Sequence, residues 1–127
     1  MIVVDTSALI AIAQDELGAA RCVLAMVDAD EVIMSAATMA EALVVAGRRG
    51  IAAEMAAVLL RFEVRIVPVT AETARRVAAV YDRWGKGVHP AGLNFCDCFA
   101  YDLATRNDCP LLFIGEDFSR TDVLAAL

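Results

Sequence analysis

Apolar residues fall in short blocks separated by longer amphipathic stretches. Met1–Val4 is an apolar run closed by Asp5, the pattern of a strand buried on both faces. Ser7–Gln14 reads as a short helix. Between Gly18 and Asp30, Ala19, Val23, Met26 and Val27 recur at helical spacing. Val32–Met34 is a second short strand. Thr38-Met39-Ala40-Glu41 matches a capping box and predicts a helix from Thr38 to Gly47. Gly50 breaks it, and Ile51–Phe62 is helical again. Val64–Val69 alternates and carries β-branched residues, so it is a strand. Thr70 caps a helix reaching about Trp84. Gly85–Gly92 is rich in glycine and contains Pro90, which makes it a loop. Asn94 caps the next helix, Phe95–Arg106. Pro110–Ile114 is a strand, and the tail beyond Gly115 has room for one more.

Strands thus alternate with helices. That order predicts an α/β fold with a mainly parallel central sheet flanked by helices. The 127 residues suffice for one domain, 1–127, around a sizeable core. In such sheets ligands bind beyond the carboxyl ends of the strands. Four carboxylates fall at strand ends or helix starts. Asp5 follows the first strand, and Glu41 falls in the first turn of the helix after the second. Asp97 opens the helix before the last clear strand, and Asp117 lies just beyond that strand. Each has a plain structural use: Asp5 as a cap, Glu41 as the capping-box acid, Asp97 as a first-turn acid, Asp117 as a turn residue. Gathered together, however, four acids without a lysine or arginine among them would repel strongly. Such a cluster calls for cations, and hard oxygen donors suit Mg²⁺ or Mn²⁺ rather than zinc.

Other chemistry has less support. His89 is the only histidine, in a loop, which speaks against a His-dependent triad. No glycine-rich nucleotide loop is present. Cys22, Cys96, Cys98 and Cys109 form no zinc pattern. Cys96 and Cys98, two apart on a helix, point roughly 200° apart and cannot share an ion. Reduced thiols acting as small hydrophobes are the expectation.

Composition bears on partners. Hydrophobic residues make up 60% of the chain, and the mean hydropathy is +0.62. That excess predicts apolar surface covered by a partner. No apolar run approaches the ~18 residues that span a bilayer. The N-terminal segment lacks a charged leader region, which points to the cytoplasm and away from membranes. The net charge of −6 argues against a nucleic-acid binder. The objection weakens if acids are gathered around divalent cations. Arg48, Arg49, Arg83 and Lys86 are the candidates for contact with a polyanion, though solvated helix ends or loops would look the same.

"IVVDTSALIAI", "MSAATMAEAL", "LNFCDCFAYDLA" and "PLLFIGEDFSRTDV" occur in this order along nearly the whole chain. Together they resemble the PIN-domain toxins of the VapC type, with a PIN-like three-layer fold. The resemblance implies a Mg²⁺- or Mn²⁺-dependent endoribonuclease, the toxin half of a type II toxin–antitoxin pair. It also implies a homodimer, an RNA substrate and a VapB-type antitoxin whose arginine enters the acidic site. Carried over by position, Asp5, Glu41, Asp97 and Asp117 match the acidic metal cluster. Thr6 and Ser7 match the hydroxyls beside the first acid, and Asn94 the polar residue one turn before Asp97. Two positions depart from the pattern. Many relatives have an acid where Gly115 stands, which brings Glu116 and Asp122 forward as substitutes for the fourth acid. Relatives often carry glycine where Cys96 stands, so Cys96 could narrow the approach to Asp97. A rival reading is a degenerate module of the same fold that only binds an antitoxin or another protein. The surviving acids favour the enzyme. An antitoxin helix would find its apolar groove among the helices between Thr38 and Phe62.

Overall fold

A computed structural model describes residues 1–127. Its elements are β1 (Ile2–Val4), α1 (Thr6–Ala13), α2 (Ala19–Asp28), β2 (Val32–Ser35), α3 (Ala36–Arg49), α4 (Ala52–Arg61), β3 (Arg65–Val67), α5 (Ala71–Trp84), α6 (Phe95–Arg106) and β4 (Leu111–Leu112). A 3₁₀ turn at Phe118–Arg120 follows. The four strands form one sheet in the order β3-β2-β1-β4, every pair parallel. The expected α/β architecture is therefore present.

Side-chain alternation along the strands divides the core between two faces. Val3, Ile33 and Leu111 point to the face covered by α5 and α6, where they meet Val77, Trp84 and Leu103. Ile2, Val4, Val32, Met34 and Leu112 point to the opposite face, packed by Leu9, Cys22, Ala42, Met55 and Val58. Strands buried on both sides explain why the sequence shows continuous apolar runs there. The four cysteines are free thiols, three of them buried. No helix is long and apolar enough to cross a membrane.

Three boundaries differ from the expectation. Helix α3 begins at Ala36, because Ser35 caps it by accepting a hydrogen bond from the Ala37 N–H. Thr38 is therefore inside the helix and buried, and the Thr38–Glu41 capping box does not form. Glu41 moves from the first turn to the second. Strands β3 and β4 are shorter than the patterns around Val64–Val69 and Pro110–Ile114. The tail does add a strand-like contact, since Leu111 bridges Ala125 in parallel register.

Strand β1 is central. The chain leaves it for β2 on one side and returns to β4 on the other, so the connections diverge at its carboxyl end. Such a switch point opens a crevice at the sheet edge, and Asp5 stands there.

Candidate active site

The crevice is a cavity of about 550 Å³. Asp5, Glu41 and Asp97 line it together, with Thr6 and Ser7 beside them. Asp117 lies outside this lining, exposed at the head of the 3₁₀ turn. No three His, Cys, Asp or Glu side chains stand close enough to enclose one cation. The acids surround an open space rather than a closed cage.

Local structure fixes each acid. Asp5 is the N-cap of α1: its Oδ2 accepts from the Ser7 N–H at 3.0 Å and from the Ser7 hydroxyl at 2.6 Å. The same Ser7 oxygen accepts from the Ile114 N–H at 3.0 Å. Ser7 thus joins the first acid to the segment leaving β4. The Thr6 hydroxyl donates to the Thr38 carbonyl at 3.3 Å, which ties the head of α1 to the helix carrying Glu41. Asn94 and Asp97 form a reciprocal capping box. Asn94 Oδ1 accepts from the Asp97 N–H at 2.8 Å, and Asp97 Oδ2 accepts from the Asn94 N–H at 2.9 Å. Oδ1 of Asp97 is left without a protein hydrogen bond.

The acids influence one another electrostatically. Burial pushes the Asp97 carboxyl up to about 7, against the pull of the Asn94 N–H. The charges of Asp5, Glu41 and Asp117 push it further in the same direction. Asp5 is raised as well, first by burial and then by Glu41, while its bonds to Ser7 oppose the shift. No salt bridge reaches any of the four. Buried carboxylates are ordinarily paired, and Asp5 and Asp97 are buried without such a pair.

The PIN-domain family model matches residues 2–124. The chain belongs to the PIN-domain family. Its curated relatives are VapC ribonucleases. Ribonuclease VapC30 of Mycobacterium tuberculosis is 46% identical over 125 residues, covering 95% of each chain. Ribonuclease VapC of Mycolicibacterium smegmatis is 44% identical over 126 residues, covering 97% of this chain and 98% of its own. Among solved structures, the sarcin-ricin loop cleaving toxin VapC20 of Mycobacterium tuberculosis superposes with a TM-score of 0.79 at 19% identity, over 98% of this chain and 97% of that one. A toxin–antitoxin complex from Klebsiella pneumoniae gives 0.75 at 17% identity, over 100% and 98%. Those structures share the fold; the closer sequences place the chain among the VapC-type ribonucleases.

Within this PIN domain the departures from the pattern acquire physical reasons. Gly115 has φ +110°, a conformation that side-chain-bearing residues rarely adopt. An acid there would strain the turn after β4. Neither proposed substitute faces the cavity. Glu116 is 83% exposed and pairs with Arg120 at 3.7 Å. Asp122 accepts from the Tyr101 hydroxyl and from Arg83 at 3.4 Å. Asp117 is the acid beyond β4 whose charge reaches Asp97. Burial first, and then the charge of Glu41, push the Cys96 thiol up to about 11. Cys96 is therefore a neutral thiol at the lip of the site.

The basic candidates also separate. Arg83 lies over the Trp84 ring at 4.5 Å and pairs with Asp122. Arg48 and Lys86 are exposed and do not line the cavity. Arg49 does line it. Sequence reasoning missed Glu16 and the apolar wall of Ile10, Leu17, Val45 and Ile114, which share the cavity. The α3 residues Glu41, Val45 and Arg49 follow one another at four-residue spacing, a signal that was available.

Proposed function

We propose that this VapC-type ribonuclease cleaves RNA with Asp5, Glu41 and Asp97 as the ion-holding and catalytic acids of the cavity and Asp117 as the outer acid. The carrying observation is that the buried Asp5 and Asp97 and the half-buried Glu41 line one cavity with no ion pair. The donor set fits a hard divalent cation, Mg²⁺ or Mn²⁺. It is all oxygen, mutually repelling, and open enough to leave room for the cation's own waters. Bound there, such a cation supplies Lewis acidity toward a phosphoryl oxygen and acidifies water.

The protein's own groups do the rest. Ser7 and the Asn94 N–H hold the Asp5 and Asp97 carboxyls by one oxygen each, so the acids are preset before substrate arrives. A carboxylate of the cluster takes the proton of the attacking water. Thr6 and Asn94 are positioning residues. In-line attack on the phosphodiester leaves a 5′-phosphate and releases a 3′-hydroxyl. Single-stranded or looped RNA is the substrate class, since a duplex hides its base edges.

The proposal includes a VapB-type antitoxin, a homodimer, one domain over residues 1–127 and a cytoplasmic setting. Support for a covering partner comes from apolar side chains left in solvent: Leu43 and Val44 on α3 are 43% and 60% exposed, and Leu60 on α4 is 80% exposed.

The deciding experiment incubates the purified protein with RNA in Mg²⁺ and in EDTA and sequences the new ends. Metal-dependent 5′-phosphate ends, lost in Asp5→Asn while its circular dichroism stays native, are expected. Equal cleavage by Asp5→Asn overturns the assignment.

A further inference from the structure

We propose that Arg49 is the phosphate-gripping residue of this cavity, its guanidinium aimed by Gln14 at an RNA phosphate next to the one being cleaved. The inference rests on the RNA-cleaving reading above.

Arg49 is the one lysine or arginine among the lining residues, and it shares the cavity with Asp5, Glu16, Glu41 and Asp97. It pairs with none of them. The chain's four ion pairs engage Arg65, Arg76, Arg83 and Arg120. The Arg49 side chain instead donates from Nη1 to the neutral Oε1 of Gln14 at 2.6 Å. That bond orients the fork and leaves its charge uncompensated at contact distance. The remaining N–H donors match the geometry of a phosphate.

Its place along α3 gives the spacing. Glu41, Val45 and Arg49 line the cavity from one stripe of the helix. Eight residues carry Arg49 about 12 Å along the axis from Glu41. With Glu16 sharing the cavity wall, the Arg49 backbone is therefore about two turns along α3 from Glu41. Val45 lies between them, with Ile10 and Ile114 on the facing walls. An acidic cavity repels a polyanion, and a fixed cation in its wall gives the strand an anchor. The apolar stretch between asks for no hydrogen bonds, so a ribose and base of any identity can cross it. The cation itself sits in the last turn of a helix, where the dipole favours it.

The test uses a short fluorescein-labelled single-stranded oligoribonucleotide of mixed sequence. Binding is read by anisotropy in EDTA across a salt series, and cleavage in Mg²⁺. Arg49→Gln is expected to raise KM about tenfold with kcat within about twofold, the signature of lost uniform binding. It also lowers the slope of log Kd against log salt by about 0.7, one phosphate contact on a single strand. Arg49→Lys restores the slope but only part of the KM. Gln14→Ala weakens KM and leaves the slope intact. Arg75→Gln, the same charge change on exposed α5, moves neither. An active wild type with an unaltered Arg49→Gln slope and KM, or an equal loss in Arg75→Gln, overturns the role of Arg49 alone. A wild type that does not cleave RNA overturns this inference and the reading beneath it together.

Discussion

Asp97→Asn should disable the enzyme and stabilise the protein, and the second effect can be worked from the structure. Asp97 is 9% exposed and its carboxyl has moved from an ordinary value of 3.8 to about 7, chiefly through burial. A carboxyl raised this far makes the folded state the tighter proton binder. Its ionisation therefore costs stability, absent below about pH 4, growing as the pH rises and complete above about pH 7. At about 1.36 kcal/mol for each pH unit, the ceiling is on the order of 4 kcal/mol. Water entering the cavity mouth reduces it to roughly half. Asparagine removes the charge and can still accept the Asn94 N–H through Oδ1, though the neutral bond is weaker by about 1 kcal/mol. A net gain of about 1 kcal/mol remains at pH 8, which raises Tm by roughly 4 °C in a domain of this size. Thermal unfolding in EDTA at pH 5 and pH 8 measures it. The variant should gain stability relative to wild type between those pH values, and Mg²⁺ should stabilise wild type far more than the variant. A difference that does not change with pH, or a variant less stable at pH 8, would refute the view that Asp97 is held ionised against its surroundings.

Two further outcomes follow from the hydrogen bonds. Ser7→Ala removes the link between Asp5 and the Ile114 N–H; Tm should fall by roughly 4–8 °C, from about 1–2 kcal/mol, and kcat by about tenfold with KM little changed. Asp122→Asn should leave RNA cleavage within about twofold of wild type in a steady-state assay, because its carboxylate serves Tyr101 and Arg83; a hundredfold loss would return it to the active site.

Much of this was legible in the chain. Strands buried on both faces announce themselves as apolar runs, and Asn94 caps α6 as expected, with Asp97 in the first turn adding the return bond from the Asn94 N–H. Helix α3 was misplaced for a physical reason. Ser35 both ends β2 and caps the helix, while Thr38 and Glu41 imitate a second cap three residues later. Local sequence cannot rank two valid caps; the packing of β2 against β1 does. The same holds for Arg49 and Glu16. Four-residue spacing puts Glu41, Val45 and Arg49 on one stripe of α3, but only the meeting of α1 with α3 makes that stripe, with Glu16, the wall of a cavity. Asp122 illustrates the reverse case: the resemblance brought it forward as a substitute acid, but Tyr101, on another element, holds it.

Ser7 lends the site a dependence on the order of synthesis. The N–H that completes its bridge belongs to Ile114, 107 residues further along the chain. Ser7 leaves the ribosome 107 residues before the N–H that locks it. β4 must also dock beside β1 before the crevice has its second wall. A nascent chain carrying Asp5, Glu41 and even Asp97 still lacks a finished site. If Asp5, Glu41 and Asp97 form the active site as proposed, competence waits for the sheet to close.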